Sequence, residues 1–123
     1  MENRGIFGLN TIPENAQEIV ITEGEFDAMA VFQATGLPAI SLPNGASNLP
    51  VEIIKCLERF KKIYLWLDND EVGMNSRTKL AEKLGSYRTY IVQTAGEKDA
   101  NDILRKDPSK IMEYIKKAQN IPD

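Results

Sequence analysis

At 123 residues, 42% of them hydrophobic, the chain is about one domain long and has enough apolar residues to bury a core of its own. Its 15 Lys and Arg stand against 18 Asp and Glu, a net charge of −3, which excludes a domain that grips nucleic acid through an excess of its own cations. There is no histidine and a single cysteine, Cys56, so His-containing zinc sites, His-based triads and an internal disulfide are excluded, and an intracellular setting is favoured.

Residues 1–16 are loosely patterned and read as an N-terminal arm cut from something longer, with an α/β domain over 17–123. The start, MENRGIFGLN, lacks a signal-type apolar core, and no apolar run approaches the ~20 residues that span a bilayer, so no membrane partner is expected. The first strand falls at Glu18–Thr22 and the next at Pro38–Leu42, with a helix between them that begins near Glu25 and ends at Gly36. After Asn48, a candidate N-cap, Pro50, Ile53, Ile54 and Leu57 form one helical stripe, closed by Phe60. Lys62–Leu67 is a third strand. Its run Ile63-Tyr64-Leu65-Trp66-Leu67, like Ile19-Val20-Ile21, is continuously apolar, as in strands covered on both faces, and both belong in the sheet centre.

Beyond Gly73, Leu80, Ala81 and Leu84 line a second helix face, and Gly85 stands where a left-handed cap would end it. Arg88–Gln93 is the fourth strand, followed by a short helix at Asp102–Lys106. Asp107-Pro108 then opens a last helix with Ile111, Met112 and Ile115 on one face. Strands alternating with helices predict an α/β fold with a parallel central sheet of about four strands.

Three stretches carry chemistry. IVITEGEFDAMAVF ends a buried strand on Glu23-Gly24-Glu25, with Asp27 just beyond; an acid there serves as a helix cap or as a metal ligand. In YLWLDNDEVG, Asp68 and Asp70 are two residues apart, so an extended backbone projects both carboxylates to one side. Like charges held close need a compensating cation, and Mg²⁺ takes one or two carboxylates plus substrate phosphates; alone, such a pair is also a common turn or cap. In GEKDANDIL, Asp99 extends an acidic cluster or caps the next helix, and Lys98 suits a phosphate. The LPNGASNLP loop is mostly turn chemistry, in which Gly45 to Ser47 could bring backbone N–H groups near a phosphate. Glu23, Asp68, Asp70 and Lys98-Asp99 all follow strands, and in open α/β sheets ligands bind outside the carboxyl ends of the strands.

ITEGEFDAMAV, LDNDEVG and KDANDIL, in this order and on these elements, resemble the Toprim domain shared by primases, type IA and II topoisomerases, OLD-type nucleases and recombination-repair proteins. The likeness is greatest to phage-type primase-helicases and their mitochondrial relative Twinkle: Phe7-Gly8 precedes the first strand, a SL-x-x-GAS loop runs from Ser41 to Ser47, and KDAN follows the last strand. It covers about residues 6–104.

The resemblance implies a Rossmann-like Toprim fold and a nucleotidyl-transfer site dependent on Mg²⁺ or Mn²⁺. Glu23 would be general acid/base or metal ligand, Asp68 and Asp70 the metal-binding pair, Asp99 a further acid, and Lys98 would lie near phosphate with Gly45 and Ser47. Relatives of this type make RNA primers on single-stranded DNA, with a zinc module and a basic subdomain before the Toprim segment and a ring helicase after it. Neither zinc cysteines nor a Walker G-x-x-x-x-G-K-[ST] occurs here, so a fragment or stand-alone module is expected, with template and ribonucleotides held by neighbouring domains and a helicase in cis or trans.

The compartment would be bacterial or phage-host cytoplasm, or mitochondria. Alternatives are a Toprim nuclease and a non-catalytic module of a replicative helicase. A haloacid-dehalogenase reading is set aside, since Glu71-Val72 stand where that family resembles Gly-Thr.

Overall fold

The computed structural model describes residues 12–42, 51–67, 71–93 and 100–120, with backbone alone at 71–77 and 101. The elements are β1 (Glu18–Thr22), α1 (Glu25–Thr35), β2 (Ala39–Ser41), α2 (Val51–Leu57), β3 (Lys62–Trp66), α3 (Glu71–Leu84), a 3₁₀ turn (Ser86–Arg88), β4 (Thr89–Ile91), α4 (Ala100–Lys106), α5 (Ser109–Lys116) and β5 (Gln119–Asn120). Strand order is β2-β1-β3-β4-β5. The first four strands are parallel, as the alternation of strands and helices predicts, and β1 and β3 occupy the centre with Thr22 in register with Trp66. The two-residue antiparallel strand β5, which pairs Tyr90 with Asn120, extends the expected sheet at its far edge.

Both faces of the sheet are covered, which is why its central strands are apolar without alternation. Ile19, Ile21, Ile40, Ile63, Leu65 and Leu67 pack with Ile53 and Leu57 of α2 and with Leu80, Ala81 and Leu84 of α3. On the other face Val20, Tyr64, Trp66 and Val92 pack with residues of α1, α4 and α5, including Val31, Ile103 and Ile111. Truncating a side chain such as Leu65 to alanine in a core of this kind costs about 2–5 kcal/mol.

The glycine caps lie where the sequence places them. Gly36 closes α1 in the left-handed conformation at φ 76° and donates its N–H to the Phe32 carbonyl, whereas Gly85 ends α3 at φ 102° and ψ 104°, a positive φ outside the expected left-handed cap, where a Cβ would stand 2.8 Å from the Tyr87 ring. Helix α3 begins at Glu71, ahead of Gly73. The N-cap of α5 is Pro108, one residue later than expected, yet the Asp107 carboxylate does the capping by accepting the Ser109 N–H at 3.2 Å. Helix α1 carries apolar residues on its outer face as well as its inner one. It buries Ala28, Ala30 and Val31 and leaves Phe26, Met29 and Phe32 exposed.

Strand β4 starts one residue later than the sequence suggests because Arg88 is drawn inward. Its Nε donates to the Leu84 carbonyl at 2.7 Å, while Nη1 is shared by the carbonyls of Leu57, Glu58 and Phe60 at 2.8–2.9 Å. One guanidinium thereby caps the carboxyl ends of α2 and α3 together, where the helix dipoles favour a cation.

Residues 12–17, at the junction of the expected arm and domain, are docked on the sheet. Ile12 and Ala16 pack against the α2/α3-side core, Lys61 donates its N–H to the Gln17 carbonyl, and Arg59 donates to the Glu14 and Pro13 carbonyls at 2.7 and 3.1 Å.

Candidate metal centre at the carboxyl end of the sheet

Strand order reverses direction between β1 and β3: from β1 the chain goes outward to β2 on one side, then returns to place β3 and β4 on the other. Such a switch point leaves a crevice beyond the carboxyl ends of the two central strands, the position where α/β sheets bind ligands. Glu23 is the first residue past β1 at that point, and Leu67 is the first past β3, with Asp68 next in the sequence. Thr22 is level with Trp66, so in the sequence Glu23 follows the end of its strand by one residue and Asp68 follows the end of the adjacent one by two.

Local sequence shapes the corner that holds Glu23. Thr22 is fully buried; its backbone carbonyl accepts the Leu42 N–H at 3.0 Å, and its hydroxyl donates to the Gly24 carbonyl at 2.9 Å. Gly24 is the N-cap of α1 in extended conformation, and its carbonyl also accepts the Ala28 N–H at 3.1 Å, the first bond of the helix. Glu23 is half-buried between these two fixed residues.

Asp27 joins it. The Asp27 carboxylate folds back over Gly24 so closely that a Cβ there would meet Oδ2 at 3.0 Å. A glycine at 24 therefore leaves space that any other side chain would take from that carboxylate. Sequence reading noted Asp27 but left it out of the site; the signal was its place three residues past the N-cap Gly24, from which an acidic side chain turns back over the cap.

The electrostatics of this corner are one-sided in sequence. Glu23, Glu25 and Asp27 fall within five residues of one another, in a stretch from Gly5 to Ile54 that contains no Lys or Arg. Carboxylates gathered there draw compensation from the later half of the chain, from helix N-termini, or from a bound cation. An oxygen-only donor set of carboxylates suits a hard divalent ion such as Mg²⁺.

Of the residues singled out in the sequence, Glu23 lies at the predicted strand end. Asp68, Asp70, Lys98, Asp99, Gly45 and Ser47 lie outside the described residues, as do the cap Asn48 and Pro50. Among the described residues no group of three Asp, Glu, His or Cys side chains forms a metal cage. The basic run Lys55, Arg59, Lys61 and Lys62 reads in the sequence as a solvated helix end; two of its members have intramolecular work, Arg59 at the Pro13 and Glu14 carbonyls and Lys62 above the Tyr90 ring at 5.6 Å.

At the end of β3, Trp66 is buried on the same sheet face as Thr22, with the Tyr114 ring edge-on at 6.1 Å. Its indole Nε1 is the one buried side-chain polar atom among the described residues that has no hydrogen-bond partner.

Comparison with known proteins agrees with this layout. A family model described as Toprim-like matches residues 20–104, from within β1 to within α4. The chain belongs to the Toprim-like family. It is 31% identical over 141 residues to a primase homolog protein of Arabidopsis thaliana and 30% identical over 143 residues to a Twinkle homolog protein, chloroplastic/mitochondrial, of the same plant. The alignments take in 95% and 97% of this chain but 42% and 20% of those relatives, so it spans less than half the length of either. The primase fragment of the bacteriophage T7 primase-helicase superposes with a TM-score of 0.73 at 28% identity, over 89% of this chain and 48% of that one. The Toprim recognition, the α/β fold and the likeness to primases and primase-helicases hold.

Proposed function

We propose that this Toprim-like chain is the metal-dependent nucleotidyl-transfer core of a DNA primase or primase-helicase that makes RNA primers on single-stranded DNA. The observation that carries this reading is the meeting of Glu23 and the chain leading to Asp68 at the switch point between β1 and β3. The names of its relatives support the primase branch, and their greater length supports a core that works within a larger protein.

Glu23, Asp68, Asp70 and Asp99 are assigned to hold the cation, with Asp27 as an added acid at the Glu23 corner. When bound, Mg²⁺ or Mn²⁺ neutralises an incoming triphosphate and acidifies the attacking 3′-hydroxyl. In its alternative role as general base, Glu23 is assigned to take the hydroxyl proton as the oxygen attacks the α-phosphorus and the bond to pyrophosphate breaks. Lys98 and the backbone N–H groups of Gly45 to Ser47 are assigned to the phosphates.

Holding the template falls outside this segment. Affinity for DNA scales with the number of Lys and Arg contacts to phosphate, and a net charge of −3 with acids at the active end supplies few. A basic neighbouring domain is the proposed template partner and a helicase, in cis or trans, the proposed motor.

Titration with Mn²⁺ under nuclear magnetic resonance tests the site. Broadening should centre on Glu23 and on Asp68 and Asp70, and Asp68→Asn or Asp70→Asn should abolish it while stability stays level or rises slightly as repulsion is relieved. Broadening that left these residues untouched would overturn the reading. Primer synthesis should be absent from residues 1–123 alone; a template-directed oligoribonucleotide product from this segment, lost in Asp68→Asn, would refute the need for a basic partner.

A further inference from the structure

Strand β1 reads Glu-Ile-Val-Ile-Thr, and its last residue is an anomaly of packing. Thr22 is 0% exposed, in a position where valine has the same shape and no hydroxyl to desolvate. Strand propensity explains β-branching there but gives no reason for the oxygen. The oxygen has a specific task. Thr22 Oγ1 lies 2.9 Å from the Gly24 carbonyl, two residues on, and 3.5 Å from the Ile40 carbonyl of the neighbouring strand.

We propose that Thr22 is a positioning residue for Glu23, its buried hydroxyl locking the strand-to-helix corner so that the glutamate leaves the sheet in one orientation. Residue 22 is tied through its carbonyl to the N–H of Leu42, the residue that follows β2, and residue 24 is tied forward to α1 through its carbonyl and the Ala28 N–H. The Thr22 hydroxyl joins these two anchors across Glu23, leaving the φ and ψ of that residue little freedom. Gly24 is in turn held close under the Asp27 carboxylate, so displacement of the corner would move both acids at once. The functional consequence rests on the metal reading of Glu23; the geometric claim does not.

The test compares Thr22→Val, which keeps the shape and removes the donor, with Thr22→Ser, which keeps the donor and removes the methyl group. Each full chain is measured for thermal midpoint, for Mn²⁺ affinity by electron paramagnetic resonance, and for amide shifts and backbone couplings at Glu23 and Gly24. Thr22→Val should melt near the wild type, shift the Glu23 and Gly24 amides, and bind Mn²⁺ roughly three- to tenfold more weakly, the worth of one buried hydrogen bond. Thr22→Ser should melt lower yet bind Mn²⁺ like the wild type.

That crossing of stability and affinity separates positioning from packing. If Thr22→Ser loses affinity as much as Thr22→Val, or if Thr22→Val leaves the Glu23 and Gly24 signals unchanged, the proposal is overturned. Should Glu23→Gln leave Mn²⁺ affinity intact, the metal reading fails by itself, and the amide shifts and couplings of the two Thr22 variants still decide the positioning claim.

Discussion

The two ends of the sheet treat polar groups differently. At the amino end, Arg88 is met by four carbonyls, the Tyr64 hydroxyl donates to the Glu18 carboxylate at 2.9 Å, and Asn120 Nδ2 donates to the Ser86 and Thr89 carbonyls. These groups tie helix ends and strands to one another. At the carboxyl end the chain gathers carboxylates at Glu23 and Asp27 and runs from β3 into Asp68 and Asp70, and Trp66 buries an indole N–H that no described residue accepts. The described polar groups of the first end join helices and strands to one another, whereas the sequence that follows the central strands at the second is rich in acids. Stability should respond to substitutions at the first, and ligand binding to substitutions at the second.

The largest effect expected from breaking this division is at Arg88. Arg88→Ala removes the shared donor and strands buried carbonyls of α2 and of the segment after it, along with Leu84 of α3, so chemical denaturation should show a loss of about 3 kcal/mol or more. Arg88→Lys should recover only part of it, because an ammonium cannot reach in two directions as the planar guanidinium does. Mn²⁺ affinity of the folded fraction should be unchanged in both. A matching loss of affinity would erase the distinction between the two ends.

A smaller effect, with a definite pH signature, is expected at Tyr64. Burial first, then the hydrogen bond to Glu18 and the charges of Glu18 and Tyr90, push its phenol well above the ordinary tyrosine range. The folded protein therefore keeps this proton where the unfolded chain releases it. Stability from this group is fully present below about pH 10, the ordinary value, and is lost as pH rises from there through the folded pKa. In Tyr64→Phe the alkaline loss measured by denaturation should be shallower by about one proton, with a cost near neutrality of about 1 kcal/mol for the lost hydrogen bond. An unchanged alkaline slope would place the titration elsewhere.

Most of the sheet was legible because its signals are local and repeated. Ile19-Val20-Ile21 and Ile63 to Leu67 declare strands covered on both faces, and Gly36 and Gly85 supply the positive φ that ends a helix. Strand β5 escaped because Gln119-Asn120 is two exposed polar residues with no apolar period; its pairing is imposed by Tyr90 and Ile91 across from it. Arg88 escaped because nothing in Ser-Tyr-Arg-Thr-Tyr tells a solvated arginine from one drawn onto four carbonyls supplied by distant elements. At the site, Glu23 was legible from its place at a strand end, whereas the closeness of Asp27 to Gly24 depends on the helix turning back over its own N-cap. Asp68, Asp70 and Asp99 rest on motif and order in the sequence, since they lie outside the described residues.

The subtlest test exploits a substitution that ought to stabilise. Gly24 has φ −104° and ψ 146°, which alanine adopts freely, so Gly24→Ala carries no backbone strain and should gain about 0.4–1 kcal/mol by restricting the unfolded chain. Against this, the new methyl would stand 3.0 Å from Asp27 Oδ2, and the carboxylate must swing away. Gly24 is the N-cap of α1, so any capping by Asp27 is weakened as well, at a cost of the same order as the gain. The expected thermal midpoint is therefore close to that of the wild type, while Mn²⁺ affinity falls if the corner acts as a unit. Asp27→Asn supplies the control: it should weaken Mn²⁺ binding by a similar factor, and combining it with Gly24→Ala should add little, since both disturb the same carboxylate. If Gly24→Ala binds Mn²⁺ as the wild type does, Asp27 belongs to the helix cap alone and Glu23 stands without it.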